Sequence, residues 1–180
     1  MFKLLFNLLF YATHVYSHGR LTYPIPRLKN VDGGLNAPIY TCLGPAFKTS
    51  PTSMRCHDTT ANPPSITVNS GDTIQVELTM EAPHPGDCSI WLSYDTNVDS
   101  PQNWIKLKDY PGCFSPNGID TFLGSRSFPL FFPTYLPSCD HCVLRWEWYT
   151  VQQVSNVEFY VNCIDTVSYT HLTLPTKRIV

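Results

Sequence analysis

Two stretches in which apolar and polar residues alternate constrain the fold of this 180-residue chain more than any other feature. In TIQVELTM, residues 73–80, every second side chain is apolar, and the same holds for VLRWEWY, residues 143–149. A period of two is that of an extended strand with one face against a core and the other toward solvent. Both stretches therefore predict half-buried strands of an antiparallel sheet.

Further strands are expected between these two and on either side of them, with no convincing amphipathic helix. The expected strands cover residues 65–68, 88–94, 104–108 and 156–161. Residues 19–64 show little periodicity and carry many prolines, and residues 95–138 are read mainly as turns and short segments. Five or more strands separated by turns predict an all-β fold, an immunoglobulin-like or fibronectin-III-like antiparallel β-sandwich with long loops.

The first seventeen residues, MFKLLFNLLFYATHVYS, predict a secretory signal peptide. Lys3 gives a positive start, an apolar run follows, and Val15 and Ser17 are small enough for a signal-peptidase site. The run is too short to cross a bilayer, and no stop-transfer pattern follows it. We expect a secreted, extracellular protein without a membrane span, whose mature domain covers residues 18–167.

Cysteine usage fits that compartment. Seven cysteines follow the leader, and in a secreted chain disulfides are the default. They are Cys42, Cys56, Cys88, Cys113, Cys139, Cys142 and Cys163. Cys42 and Cys56 are expected to staple the long first loop, and the remaining connectivity stays open. Because the number is odd, either one thiol is free or its partner is missing from this sequence. Around His141, the Cys139-x-x-Cys142 spacing also allows a zinc interpretation, but no second ligand pair is present and a disulfide is favoured.

Charge and composition exclude several partners. The chain has 12 Lys and Arg against 14 Asp and Glu, and this balance indicates neither nucleic acid nor an anionic membrane as a partner. Hydrolase motifs such as a nucleophile elbow or a His-Glu-x-x-His pair are absent from the sequence. A single domain acting as a monomer is expected.

Cleavage after Ser17 would make His18 the mature amino terminus. There, the free α-amino nitrogen and the ring Nδ1 of one residue can chelate a metal ion together, because the amine has a pKa of roughly 8 and loses its proton easily. A third nitrogen would complete a T-shaped set, and divalent copper binds nitrogen sites best in its series. The alternative is an ordinary exposed terminal residue.

Three further residues are candidates for this centre. His84 lies in the turn-rich EAPHPGD segment, where prolines on both sides restrict the backbone, and it is the candidate third nitrogen. Tyr160 is the candidate axial group, and Glu158, on the same face of the expected strand, could hydrogen-bond an oxygen species there. The alternatives are a surface histidine and a core tyrosine. His57, next to Cys56, is interpreted as structural.

Four segments taken in order resemble the lytic polysaccharide monooxygenases. They are HGRLTYPIPR from residue 18, HPGDCSIWLSYD from residue 84, CDHCVLRWEW from residue 139 and EFYVNC from residue 158. The resemblance covers nearly the whole mature domain, and its overall pattern is nearest to the pectin-active branch, with chitin- and cellulose-active branches as close competitors. It implies a copper "histidine brace" on the flat face of the sandwich.

Carried over by position, the resemblance assigns metal-binding roles to His18, His84 and the axial Tyr160. Glu158 matches the place of a Gln or Glu that steers the oxygen species, and Arg145 is a candidate for the surrounding shell. The implied cofactors are one copper ion, O2 or H2O2 as cosubstrate and an external reductant as electron donor. The implied reaction hydroxylates C1 or C4 of a sugar in a structural polysaccharide and breaks the glycosidic bond.

Substrate contacts are assigned to Arg20, Tyr23 and Trp104, since a guanidinium can bind a uronate carboxylate and aromatic faces stack on sugar rings. Two rival hypotheses remain: a non-catalytic copper-binding protein with the same brace, and a polysaccharide-binding module without redox chemistry. Residues 168–180 do not continue the pattern of the domain and are predicted to be a foreign tail, so His171 receives no function.

Overall fold

The computed structural model describes residues 19–27, 51–57, 59–80, 84–95, 103–114, 124–151 and 157–170. The leader, His18, Cys42 and residues 171–180 lie outside this part of the chain. The predictions that fall on them are not tested by the structure.

Eight strands and one short helix make up the described residues. In chain order they are β1 (Gly19–Tyr23), α1 (Pro51–Cys56), β2 (Ile66–Asn69), β3 (Thr73–Met80), β4 (Gly86–Ser93), β5 (Trp104–Tyr110), β6 (Gly124–Phe131), β7 (Cys139–Thr150) and β8 (Glu158–Tyr169). The prediction of an all-β, immunoglobulin-like sandwich is confirmed.

The strands form two sheets. One has three strands in the order β1-β3-β6, and the other has five in the order β2-β8-β7-β4-β5. All pairings are antiparallel except that of β2 with β8, which is parallel. The inner faces of both sheets supply the core, and its largest fully buried side chains are Trp146, Trp148, Tyr160, Phe114 and Phe132.

The alternation read from the sequence is the alternation that the sheets use. Along β3, Val76, Leu78 and Met80 are buried while Glu77 between them is exposed. Along β7 the even-numbered residues from Cys142 to Trp148 join the core, because successive side chains of a strand point to opposite faces.

Two strands and the helix depart from the prediction. Residues 19–23 and 124–131 were interpreted as irregular, yet they form β1 and β6, and Pro51–Cys56 forms α1. The strand expected to end at residue 161 continues to Tyr169, two residues past the expected domain boundary at 167, and Ser168 is buried within it.

The outer face of the five-stranded sheet is covered in part by α1. Met54 of the helix packs on Phe159 and Val161, and a disulfide joins Cys56 to Cys163. The expectation that Cys56 closes the first loop with Cys42 is therefore wrong. Cys163 of β8 is buried on this outer face, where α1 packs. Cys56 at the end of α1 is therefore next to Cys163 and bonds to it.

Two more disulfides, Cys88–Cys113 and Cys139–Cys142, are present. The latter agrees with the preference for a disulfide over a zinc site in the CDHC segment. Of the helical residues that the structure describes, none belong to a helix long and apolar enough to cross a bilayer.

Candidate metal centre

Strand register brings three candidate residues to one end of the sandwich. On β7 and β8, Trp148 is paired with Tyr160 and Thr150 with Glu158. On β4, the first residue, Gly86, is paired with the same Thr150. The start of β4, the end of β7 and the start of β8 therefore meet at one edge.

His84 reaches this edge because it lies two residues before β4. It comes four residues after Met80, the end of β3 in the other sheet, so it lies on the connection that crosses between sheets. We call His84, Trp148, Glu158 and Tyr160 the His84 cluster.

The backbone beside His84 is held closely against β7. Val151 N donates to Pro85 O at 2.9 Å. A Cβ placed on Gly86 would lie 1.9 Å from the carbonyl oxygen of Tyr149, so only glycine allows this approach. The HPG sequence thus combines a restricted backbone at His84 with a close strand contact two residues later.

The ring of Trp148 is the wall on which the cluster packs. Its side chain is fully buried, and its ring centroid lies 4.7 Å from that of Tyr160, 5.0 Å from that of Phe114 and 6.2 Å from that of His84. The His84 and Trp148 planes are 28° apart, in a stacked arrangement.

The polar atoms of the cluster converge on one carboxylate oxygen. Tyr160 Oη donates to Glu158 Oε2 at 2.8 Å, and His84 Nε2 lies 3.5 Å from the same oxygen. The side chains of His84 and Glu158 are 14% and 22% exposed, so the cluster is partly accessible to solvent, although His84 Nε2 itself is buried. The arrangement offers an imidazole nitrogen, a phenol oxygen and a carboxylate at an accessible edge.

Strand β1 brings the start of the described chain to the same edge. Gly19 pairs with Met80, and a Cβ on Gly19 would lie 2.5 Å from Trp148 Cζ3. Leu21 N donates to Asn162 Oδ1 at 2.8 Å, a buried hydrogen bond from one sheet to the other. Gly19 therefore lies directly against the indole that contacts His84 and Tyr160.

His18 itself is outside the described residues, and so are two of the three nitrogens of the predicted brace. Within the described ranges, no group of three or more His, Cys, Asp or Glu side chains could hold a metal ion. Of the residues in the His84 cluster, His84 offers the nitrogen that copper prefers, and Tyr160 and Glu158 offer oxygens.

Arg145 is not brought to this cluster. It lies at an odd-numbered position of β7, on the face opposite Trp148, where it forms an ion pair with Glu147. Its guanidinium carbon lies 4.7 Å from the centre of the Trp104 ring. Burial lowers the pKa of Arg145 to about 10, which still leaves it charged at neutral pH.

Trp104 lies with Arg145 on the outer face of the five-stranded sheet and is not part of the His84 cluster. It packs against Cys56, Val143 and Cys163 on the outer face of the five-stranded sheet, and its ring is in contact with Arg145. Neither Arg145 nor Trp104 takes part in the His84 cluster. The roles of Arg145 in the surrounding shell and of Trp104 in substrate contact stay predictions.

Arg20 and Tyr23 share the outer face of the three-stranded sheet. Simple alternation would put residues three apart on opposite faces, but a bulge between Leu21 and Tyr23 pairs Tyr23 with Glu77. Tyr23 is 43% exposed, and Arg20, paired with Thr79, adjoins Gly19. Their assignment to substrate stays a prediction.

A second polar cluster lies on the outer face of the five-stranded sheet. Arg27 binds both carboxylate oxygens of Asp165, at 2.5 and 2.7 Å, and the backbone of Asn62 donates to one of them at 2.9 Å. His141 Nε2 lies 2.7 Å from the other. We call these four residues the Arg27 cluster.

The Arg27 cluster is saturated. The side chains of Arg27 and Asp165 are each 1% exposed. Burial works to raise the pKa of Asp165, but the hydrogen bonds from Arg27, Asn62 and His141 hold that pKa below its usual value. His141 is thus engaged in structure, and His57, 4% exposed beside the Cys56–Cys163 bridge, lies in the same buried region.

Three residues of the site end were not predicted from the sequence. In the sequence, Trp148 is one apolar position of the alternating stretch 143–149, and Gly19 is one residue of the HGRLTYPIPR segment. Asn162 carried a usable signal, because an amide within the apolar run EFYVNC must find a buried partner.

Comparison with known proteins identifies relatives of this chain. The family model of Auxiliary Activity family 9 (formerly GH61) matches residues 36–168. The AA9 family lytic polysaccharide monooxygenase E of Podospora anserina is 27% identical over 132 residues, which are 66% of this chain and 43% of that protein. The chain thus spans less than half of the length of this curated relative.

Two solved structures share the fold. A cellulose-active polysaccharide monooxygenase from M. thermophila matches with a TM-score of 0.56 at 19% identity, over 69% of this chain and 62% of that one. A chitin binding domain from Burkholderia pseudomallei matches with a TM-score of 0.53 at 17% identity, over 84% of this chain and 99% of that one.

Proposed function

The chain belongs to Auxiliary Activity family 9, and from this premise we propose that it is a copper-dependent lytic polysaccharide monooxygenase. The observation that carries the proposal is the convergence of His84, Glu158 and Tyr160 at the edge where Gly19 packs on Trp148. Secretion and cleavage after Ser17 are part of the proposal, because only cleavage there frees the amine of residue 18.

The residues that would hold copper are His18, through its amine and Nδ1, His84, through a ring nitrogen, and Tyr160, through its phenol oxygen. Consecutive Cα atoms lie about 3.8 Å apart across a trans peptide. Since Gly19 is in contact with Trp148, a residue 18 that turns toward this edge would be within reach of His84. A nitrogen-rich set of this kind suits copper.

A bound copper ion would supply the one-electron chemistry with O2 or H2O2 that hydroxylates C1 or C4 of a sugar. The described residues set the conditions for it. Stacking on Trp148 and the neighbouring prolines orient the His84 ring. Glu158 accepts the hydrogen bond of Tyr160 and holds the phenol in one orientation, and its carboxylate is the local proton acceptor.

The substrate we propose is an insoluble structural polysaccharide. An open edge with side chains 14% and 22% exposed suits a polymer that cannot enter a cleft. The solved relative from M. thermophila is named as cellulose-active, so cellulose is the first polymer to test, followed by chitin and pectin. Arg20 and Tyr23, on one face of β1 next to Gly19, are the proposed contacts on this side.

The test is product analysis with the secreted protein. Amino-terminal sequencing should find His at position 1 of the mature chain, which should bind one Cu(II). With ascorbate and cellulose, mass spectrometry should then find oligosaccharides oxidised at C1 or C4. His84→Ala should abolish both copper binding and oxidised products.

His141→Ala is the matched control, because His141 is engaged with Asp165 on the opposite face, and it should leave both readouts unchanged. Copper binding without oxidised products from any of the three polymers would favour a non-catalytic copper protein. Polymer binding that is indifferent to chelators and to His84→Ala would favour a binding module, and either result would refute the proposal.

A further inference from the structure

We propose that Trp148 is the positioning residue of the metal centre, an inference that rests on the proposed function. The ring of Trp148 separates the core from the site end and contacts three chain segments that the metal would join. These segments are β1 at Gly19, the sheet-to-sheet connection at His84 and β8 at Tyr160. They come from both sheets and have no continuous backbone in common near the site.

The contact of Trp148 with Gly19 leaves no room for a side chain at position 19. Because an added Cβ would come within 2.5 Å of Trp148 Cζ3, the backbone of β1 rests directly on the indole edge. The distance from the sandwich core to Gly19 is therefore set by the size of the side chain at position 148, and glycine at position 19 is required for the approach.

The contacts with His84 and Tyr160 set ring directions. The His84 plane is 28° from the indole plane and the Tyr160 plane 35° from it, with centroids at 6.2 and 4.7 Å. Phe114, next to the Cys88–Cys113 disulfide, packs edge-on at 5.0 Å and supports the indole from the loop side. Phe114 thus holds the indole of Trp148 on one side, and the indole orients the rings of His84 and Tyr160.

Within the part of the chain that the structure describes, the indole of Trp148 makes no hydrogen bond. Among the polar atoms of described residues that lack a hydrogen-bond partner is Trp148 Nε1, which is buried. Packing alone fixes the ring, so a smaller ring would relax the groups that stack on it, as cavities in a close-packed core do. Replacing Trp148 by a smaller ring should therefore change copper binding more than it changes the stability of the fold.

The experiment compares Trp148→Phe with Trp146→Phe in the mature copper-loaded protein. Trp146 lies on the same face of β7, is equally buried and also has a buried indole nitrogen without a partner, and it is stacked on Trp148 at 6.4 Å. Both changes should therefore cost similar stability, which thermal unfolding of the metal-free proteins would show.

The metal readouts should separate the two variants. In Trp148→Phe we expect Cu(II) affinity, measured by competition with a chelator of known affinity, to fall about tenfold, the lower end for loss of a group that orients metal ligands. The copper EPR spectrum and the Cu(II)/Cu(I) reduction potential should shift with it. In Trp146→Phe all three should change less than in Trp148→Phe, because Trp146 would act on the metal ligands through Trp148, on which it is stacked.

Gly19→Ala provides a second route that does not remove core volume. The added methyl group should push β1 off the indole and weaken copper binding, and Trp148→Phe in the same chain should recover part of that loss by making room. Strictly additive losses in the double variant would overturn the inference.

The outcomes distinguish this inference from the proposed function. If the wild-type mature protein binds no copper, the proposed function fails and the inference fails with it. If the wild type binds copper and Trp148→Phe matches Trp146→Phe in affinity, spectrum and potential, the inference alone is refuted.

Discussion

The two polar clusters on opposite faces of β7 and β8 use their polar groups in opposite ways. In the Arg27 cluster both carboxylate oxygens of Asp165 accept hydrogen bonds, and the paired side chains are 1% exposed. In the His84 cluster the imidazole lies 3.5 Å from the carboxylate, and the side chains are 14% and 22% exposed.

This difference separates structure from chemistry. A buried charge whose partners are all internal cannot take a ligand without losing one of them, and breaking such a pair is costly. A partly exposed group at a sheet edge, such as His84 stacked on Trp148, can exchange a weak contact for a ligand at smaller cost. Asp165, whose pKa is held below its usual value by internal hydrogen bonds, is therefore a structural group.

The largest expected effect is that of Asp165→Ala on stability. It leaves the Arg27 guanidinium buried without its carboxylate and should lower the free energy of unfolding by about 3–5 kcal/mol. Denaturant titration measures this. The control is Asp109→Ala, which removes an ion pair with Lys106 whose side chains are 53% and 43% exposed and should cost about 1 kcal/mol or less. Equal losses of unfolding free energy in the two variants would contradict the structural role of the Arg27 cluster.

Asn162→Ala should have the next largest effect. It removes the acceptor of the Leu21 N–H, a buried hydrogen bond between the sheets, and should cost about 1–3 kcal/mol of unfolding free energy. Because β1 carries Gly19, copper affinity should fall as well. Asn103→Ala, an exposed amide bonded to Asp95, is the control and should change neither quantity.

Acid sensitivity should follow the Arg27 cluster. The pKa of Asp165 in the folded protein lies below its unfolded value of about 3.9, so its stabilising contribution is present above that pH and is lost as pH falls through the folded pKa. Asp165→Asn lacks this titration. Its unfolding free energy should fall less steeply than that of the wild type between about pH 5 and about pH 3, and parallel slopes would contradict this.

The smallest effect on stability is expected for His84→Ala. The side chain stacks on Trp148 at the edge of the sandwich and is partly exposed, so the metal-free protein should lose about 1 kcal/mol or less. A loss as large as that of Asp165→Ala would show that the His84 cluster, too, serves the fold.

Six of the eight strands could be predicted from the sequence, and the clearest were those whose side chains alternate without interruption. Strands β3 and β7 were clear, whereas β6 contains Pro129, which cannot donate to a ladder and is tolerated because β6 is an edge strand. Strand β1 is short and is followed by Pro24 and Pro26, so its pattern is too brief to detect. Its pairing partner lies more than fifty residues away.

The site could be predicted in part. His84 stood out by its flanking prolines, and Glu158 and Tyr160 by sharing a face two residues apart. Arg145 was taken from the resemblance alone, although its odd position in β7 already separates it from Trp148. Nothing in the sequence distinguishes Trp148 from Trp146, because their different contacts arise only when the strand ends meet.

The bond between Leu21 and Asn162 implies an order of events during synthesis. The two residues are 141 positions apart, so β1, which pairs with β3, forms its hydrogen bond to the five-stranded sheet only after β8 has been synthesised. A nascent or truncated chain would have no finished edge at which to collect metal. If the protein binds copper as proposed, only completely synthesised and folded molecules would take up the ion.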